Sequence, residues 1–420
     1  MSLTNRARVL YGSPLSQPKV AKFTAIALAV LVVICLGVIS QDFIFSREPD
    51  QVRVFFLALL WSALFSVIPI AILWFLDRRE QESRWLYVIT FLWGALVATG
   101  VAIPINTSIL SAVDSILELH PDVQALLGPS ATYLVGAPLA GPIVEEITKG
   151  IALLLLFWLL RAEFDSVRDG FIYGALVGVG FNFLESAIYV ASQYSESGIA
   201  PWGVQLGLRH ALFGFGGHAL FTGLFGLGLG LARQTVRPWL HYAAPIVGWL
   251  MGFSAHLVNN LLGLLIRLVV VLGGDGEIPA DADVAGPMVI DQPIALFLVI
   301  GSLRSLITLF PFFVAAIVLL WQSGIWERQV IREELADEGE PVVTPREYEA
   351  VKTDRIFRTR QVHGPDKRTA AAIAKAQDEL ALRKWRLKHN GQSVNDDPLV
   401  ASWREELAQL RGKTKVSAVS

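Results

Sequence analysis

The 420-residue chain has one cysteine, Cys35, so a disulfide framework within it is impossible. Charge is also scarce. Asp, Glu, Lys and Arg make up 17% of the residues against 53% apolar, a balance that excludes an ordinary soluble enzyme and points to a polytopic membrane protein. About half of those charges lie after Trp321, which leaves the rest more apolar still. The net charge is −2 and no basic cluster stands clear of neighbouring acids, so nucleic acid is not an expected partner. There is no internal repeat, and no small-residue cleavage site follows the first apolar run, which reads as an uncleaved anchor.

What the chain does have is long apolar runs, at 20–39, 54–76, 85–105, 131–160, 171–193, 210–232, 242–273 and 294–321. Each reaches the roughly 17–25 residues that a spanning helix needs. The expected fold is all-α, a polytopic bundle of about eight spans. Residues 1–19 form an N-terminal arm, 20–321 the membrane domain with its core at about 131–273, and 322–420 a charged, mostly helical tail. Arg6, Arg8, Lys19, Arg78, Arg79, Arg84, Arg161, Arg168, Arg233 and Arg237 all fall on the side of the termini. The opposite side has Arg47, Arg53 and Arg209, while connections 106–130 and 275–292 hold neither Lys nor Arg. The positive-inside rule therefore predicts cytosolic termini. In the tail, Thr344-Pro345-Arg346-Glu347 has the form of a helix start, with Thr as N-cap, Pro at the first position and Glu closing a capping box. Gly223, Gly226, Gly228 and Gly230, and likewise Gly174, Gly178 and Gly180, suit close helix packing.

Four of the runs carry ionisable residues where they are costly. Glu145 and Glu146 are adjacent in 131–160, with Lys149 one turn on; the next three runs carry Glu185, His218 and His256. Adjacent carboxylates at membrane depth must be paired, wetted or bound to a cation, and so suggest a functional site. Glu145 is 16 residues from Arg161, Glu185 16 from Asp169, His218 15 from Arg233 and His256 15 from His241. At about 1.5 Å per residue this places all four roughly 22–24 Å from the cytosolic boundary of a core about 30 Å thick, in one layer nearer the other face. Lys149 is within reach of either glutamate and can neutralise only one, leaving a carboxylate for chemistry. Asn182 lies beside Glu185, and Asn259 and Asn260 share the face of His256; these amides could orient ligands or bind a substrate carbonyl. His210, next to Arg209, reads as interfacial, and Arg304 as either a counter-ion for the carboxylates or a packing residue.

These residues resemble the PrsW family of intramembrane proteases, distant relatives of the CAAX-type prenyl-protein endopeptidases. The matching elements are Glu145-Glu146-Ile147-Thr148-Lys149, then Asp169-Gly170-Phe171-Ile172-Tyr173-Gly174 leading to Phe181-Asn182-Phe183-Leu184-Glu185, then His218-Ala219-Leu220-Phe221-Thr222-Gly223 and His256-Leu257-Val258-Asn259-Asn260. They cover about a third of the chain, 135–262, and leave the first three spans and the tail unexplained. The resemblance implies hydrolysis of a peptide bond in or near a bacterial cytoplasmic membrane, in some members on a single-span anti-sigma factor. Lipid and a single-span protein are the expected partners; a partner for the tail is not indicated. Two mechanisms stay open. Glu185, His218 and His256 could hold zinc, with Glu145 or Glu146 as general base, although the HExxH pair of soluble zinc proteases is missing. Alternatively a buried glutamate activates water unaided. Intramembrane Glu and His also suit an ion- or proton-coupled transporter, and the tail a non-catalytic scaffold.

Overall fold

The computed structural model describes residues 5–78, 83–273, 293–354, 362 and 365–417, and among them all regular structure is helical. The helices used below are α1 (Pro18–Phe45), α2 (Pro49–Leu76), α3 (Arg84–Glu118), α4 (Ala131–Ala140), α5 (Glu146–Leu159) and α6 (Val167–Ser197). After these come α7 (His218–Gln234), α8 (Leu240–Gly273), α9 (Ile294–Thr308) and α10 (Phe310–Leu335). The tail consists of α11 (Pro345–Lys352), α12 (Lys367–His389) and α13 (Pro398–Ser417). Among the described residues seven helices are long and apolar enough to cross a bilayer: α1, α2, α3, α6, α7 with the turn before it, α8 and α10. The run at 131–160 is also one continuous helical path, α4 and α5 joined by a π turn at Gly141–Glu145, with three charged residues near its middle.

Helix α6 is the axis of the bundle. It packs against α2, α3 and α7, and 94% of its apolar window is buried within the protein, against 11% for α1. A helix face in contact with lipid must be apolar, whereas a helix enclosed by protein can use small and polar residues all round. Accordingly α6 carries Gly170, Gly174, Gly178 and Gly180, and a methyl built at Gly174 would stand 2.5 Å from the carbonyl oxygen of Thr222 on α7. The helix begins with a reciprocal capping box between Ser166 and Asp169 and ends at Gly198 in the left-handed conformation, φ 72°.

The structure departs from the sequence expectations at three places. The third span does not stop at 105: α3 continues to Glu118, so much of the expected 106–130 connection is helix. The sixth run, expected to be helical from 210, instead opens with irregular backbone and a 3-10 turn (Leu212–Gly214), preceded by a π turn at Gly203–Leu208, and α7 starts only at His218. Irregular backbone at membrane depth is tolerated where it lies inside protein or lines a cavity. Here Leu212 and Phe213 have left-handed φ values of 50° and 58°, and the Leu212 N–H is taken up by Ser302 Oγ at 3.0 Å. The last run, 294–321, is two helices broken at Leu309 just before Pro311, whose ring has no N–H to continue the ladder. The 275–292 connection and Arg79 lie outside the described residues.

Helix α10 runs on through 321, and the tail packs against its end. Val342, Ile373, Leu380, Leu387, Val400 and Leu407 are buried together. The Thr344–Glu347 capping box forms as expected. Burial pushes the Glu347 carboxyl up, but hydrogen bonds from Arg411 and the Thr344 N–H outweigh it and hold the group below its ordinary value. Arg8 of the N-terminal arm donates to Ser402 Oγ at 2.8 Å, pairs with Glu406 and lies over the Trp403 ring, while Arg386 pairs with Asp165. The arm, the loop before α6 and the tail therefore share one face.

Candidate active site

Successive residues of an α-helix point about 100° apart, yet Glu145 and Glu146 are both buried in the same cluster. The π turn accommodates this, since its wider ring inserts a residue and re-aims the side chains at its end; such turns recur at functional sites. Pro138 and Pro142 withhold two N–H donors from this stretch. The Ala137 carbonyl accepts the Gly141 N–H and also the Asn260 amide, at 3.2 Å.

The two glutamates differ in how fully they are satisfied. Glu146 Oε1 accepts from Lys149 Nζ at 2.6 Å and His256 Nδ1 at 2.9 Å, and its Oε2 accepts from Thr222 Oγ1 at 3.1 Å. Glu145 Oε1 accepts from Asn106 Nδ2 at 3.1 Å, but its Oε2 is buried with no hydrogen-bond partner. Lys149 Nζ stands 3.7 Å from that oxygen. The sequence left open which carboxylate Lys149 neutralises; the structure assigns it to Glu146 and leaves Glu145 open.

Both histidines face the unpartnered oxygen. His218 Nδ1 and His256 Nε2 are each 3.9 Å from Glu145 Oε2. Their other nitrogens meet carboxylates, His218 Nε2 with Glu185 at 2.7 Å and His256 Nδ1 with Glu146. An ionised carboxylate only accepts, so these contacts place the N–H on the remote nitrogen and leave a lone pair toward Glu145. Phe181 and Phe221 pack on the rings at centroid distances of 4.9 and 4.8 Å.

Ligand atoms of Glu145, His218 and His256 all lie within 4.8 Å of one another, a donor set that fits a divalent metal. Carboxylates behind both histidines are the usual support of metal-bound imidazole. Glu185, expected from the sequence as a ligand, instead sits behind His218 and pairs with Arg209. Lys149 Nζ lies 2.9 Å from His218 Nδ1, so this cation and a metal would compete for that lone pair.

The cluster forms the wall of a cavity of about 330 Å³ whose lining includes Asn106, Tyr133, Arg209, Asn259, Asn260 and Arg304. Asn182 Nδ2 donates to the Arg209 carbonyl at 3.2 Å, so it holds the irregular segment before α7 in place. Asn259 Nδ2 donates to Asn260 Oδ1 at 3.1 Å. His210 is buried, not interfacial, with Ser62 Oγ 3.1 Å from its Nε2 and the Phe65 ring stacked on it. Two site residues escaped the sequence reading. Asn106 fell just past the expected end of a span, though an amide two residues after Pro104 in an apolar helix was a usable signal; Arg209 was counted as a flanking charge.

Residues 82–281 match a family model described as PrsW family intramembrane metalloprotease. A curated relative, Protease PrsW of Geobacillus kaustophilus (strain HTA426), is 30% identical over 140 residues, which is 33% of this chain and 57% of that protein. The chain thus spans little more than half the length of the relative it matches. No solved structure matches. The PrsW resemblance read from the motifs holds across the region that builds the site, and with its long apolar helices the chain is an integral membrane protein.

Proposed function

We propose that this PrsW-type chain is an intramembrane endopeptidase that cuts a single-span membrane protein, with Glu145 as general base. The observation that carries the reading is the unpartnered buried oxygen of Glu145, facing two histidine lone pairs at a cavity wall. In the reaction Glu145 Oε2 takes a proton from water as the water oxygen attacks the scissile carbonyl carbon, and later delivers that proton to the departing amine. Asn260 has a second N–H beyond the one given to Ala137, and this can meet the developing oxyanion. Glu146, Lys149 and Glu185 orient the histidines. The transporter alternative gains nothing from the comparisons, neither of which describes a transporter.

A bound divalent ion, zinc by the chemistry of its donors, would be held by Glu145, His218 and His256; Glu145 Oε2 would then be a ligand, and polarisation of the water by the ion would replace its role as base. Elemental analysis of purified protein is expected to give about one zinc per chain, lost on replacing both histidines by alanine. Glu185→Gln should weaken metal binding about 10- to 100-fold in a chelator competition, since it removes the carboxylate behind His218, along with the acid partner of Arg209. Full cleavage by metal-free protein would leave the glutamate mechanism standing alone.

The arginine asymmetry orients the shared face of arm and tail toward the bacterial cytosol. The catalytic cluster then lies nearer the outer face, and water and a frayed helix end enter from there. With the protein reconstituted in liposomes beside a single-span peptide, mass spectrometry of the fragments should place the cut between the span's midpoint and its outer end. A cut in the cytosolic half would refute this placement.

A further inference from the structure

Three cations lie in or beside the cavity, and two have acid partners: Lys149 with Glu146, and Arg209 with Glu185. Arg304 has none among the described residues. Its Nη2 donates to Asn259 Oδ1, a neutral acceptor, and its Nε is buried without any hydrogen-bond partner. Arginine on a lipid-facing helix ordinarily runs its head to the interface. Arg304 instead points into the cavity, while Leu303, Leu306 and Ile307 of the same helix are exposed. A guanidinium offers five N–H donors in a planar fork that matches a carboxylate. Most of that fork is unused here.

We infer that Arg304 is a specificity-determining residue that binds a carboxylate of the substrate; this rests on the endopeptidase reading. The path from Arg304 to the catalytic cluster runs through Asn259 to Asn260, whose amide nitrogen lies beside Gly141, where Glu145 is also close. The path through two amides in series is at most roughly 10 Å long, so the separation is no more than about three residues of extended peptide. The carboxylate is therefore that of an Asp or Glu within about three residues of the scissile bond, or the terminal carboxylate of a chain ending there. Burying an arginine against such a group rewards the right substrate and leaves the charge uncompensated with the wrong one.

The test uses full-length protein in liposomes and single-span peptides that carry Glu or Gln at each of the four positions on either side of the bond cut by wild type, with free or amidated C-termini. At one position Glu should raise kcat/KM at least tenfold over Gln, chiefly through KM. Arg304→Gln should bring that ratio to about one, Arg304→Lys should restore part of it, and Arg304→Glu should favour Lys at the same position. If the preference follows the free C-terminus instead, and disappears in Arg304→Gln, the carboxylate is the terminal one and the inference holds. A structural role for Arg304 would slow all peptides alike and keep their ratios, and that result would overturn it. If wild type cuts no peptide at all, the endopeptidase reading fails and the inference falls with it.

Discussion

Replacing Glu145 by glutamine is expected to lower peptide cleavage by about 10²- to 10⁴-fold, the usual contribution of a positioned general base, while the protein still inserts and accumulates. Glutamine keeps the shape of the side chain and its Oε1 can still accept from Asn106, whose amide lies 3.1 Å away. What it removes is an oxygen that no protein donor uses. Glu146→Gln should differ in kind. Its carboxylate holds Lys149, His256 and Thr222 at once, so its loss should lower thermal stability in detergent as well as activity. Full cleavage by the Glu145→Gln protein would remove the central support of the mechanism. Equal melting temperatures for the two variants would show that the division of labour between the carboxylates is wrong.

Gly174→Val is expected to cost about 1–3 kcal/mol or more through overpacking, and to lower both accumulation and melting temperature. The new Cβ would meet the Thr222 carbonyl oxygen at 2.5 Å and the Gly223 Cα at 2.9 Å, which are backbone atoms that no rotamer change can move aside. Gly226, whose added methyl would fall onto the Gly170 carbonyl, should behave the same way. Gly37 on α1 is the control. Nothing lies within 4 Å of a methyl there, so Gly37→Ala should be neutral or stabilising by up to about 1 kcal/mol through helix propensity. If Gly174→Val melts with wild type, α6 and α7 are not in the contact described here.

The cluster was legible because Glu145, Glu146, Glu185, His218 and His256 interrupt apolar runs at matching distances from charged flanks. The glycines of α6 and α7 were legible for a related reason, since runs of small residues have few other uses inside a membrane. The division of roles between Glu145 and Glu146 was hidden. It depends on side-chain phase, and the π turn that sets the phase leaves no periodic mark in the sequence. Asn106 was missed because hydropathy ends a span where polar residues begin, whereas α3 continues through them to Glu118. Arg209 looked like a boundary charge because it stands in irregular backbone; only the fold brings that backbone back against Glu185.

The π turn between Gly141 and Glu145 acts like a dislocation in a crystal row. The lattice on either side is regular, but the two halves are offset by one residue, so a single helical wheel drawn through α4 and α5 assigns one half to the wrong face. The length of this stretch is therefore constrained apart from its composition. Removing one residue there would let the helix close into an ordinary α register, with α4 and α5 keeping their faces but Glu145 and Glu146 set a full turn-step of about 100° apart, so that the pair no longer meets in one cluster. The gene could then retain every acid, histidine and lysine of the site and still encode an inert protein, a lesion that a comparison of residue identities alone would pass over.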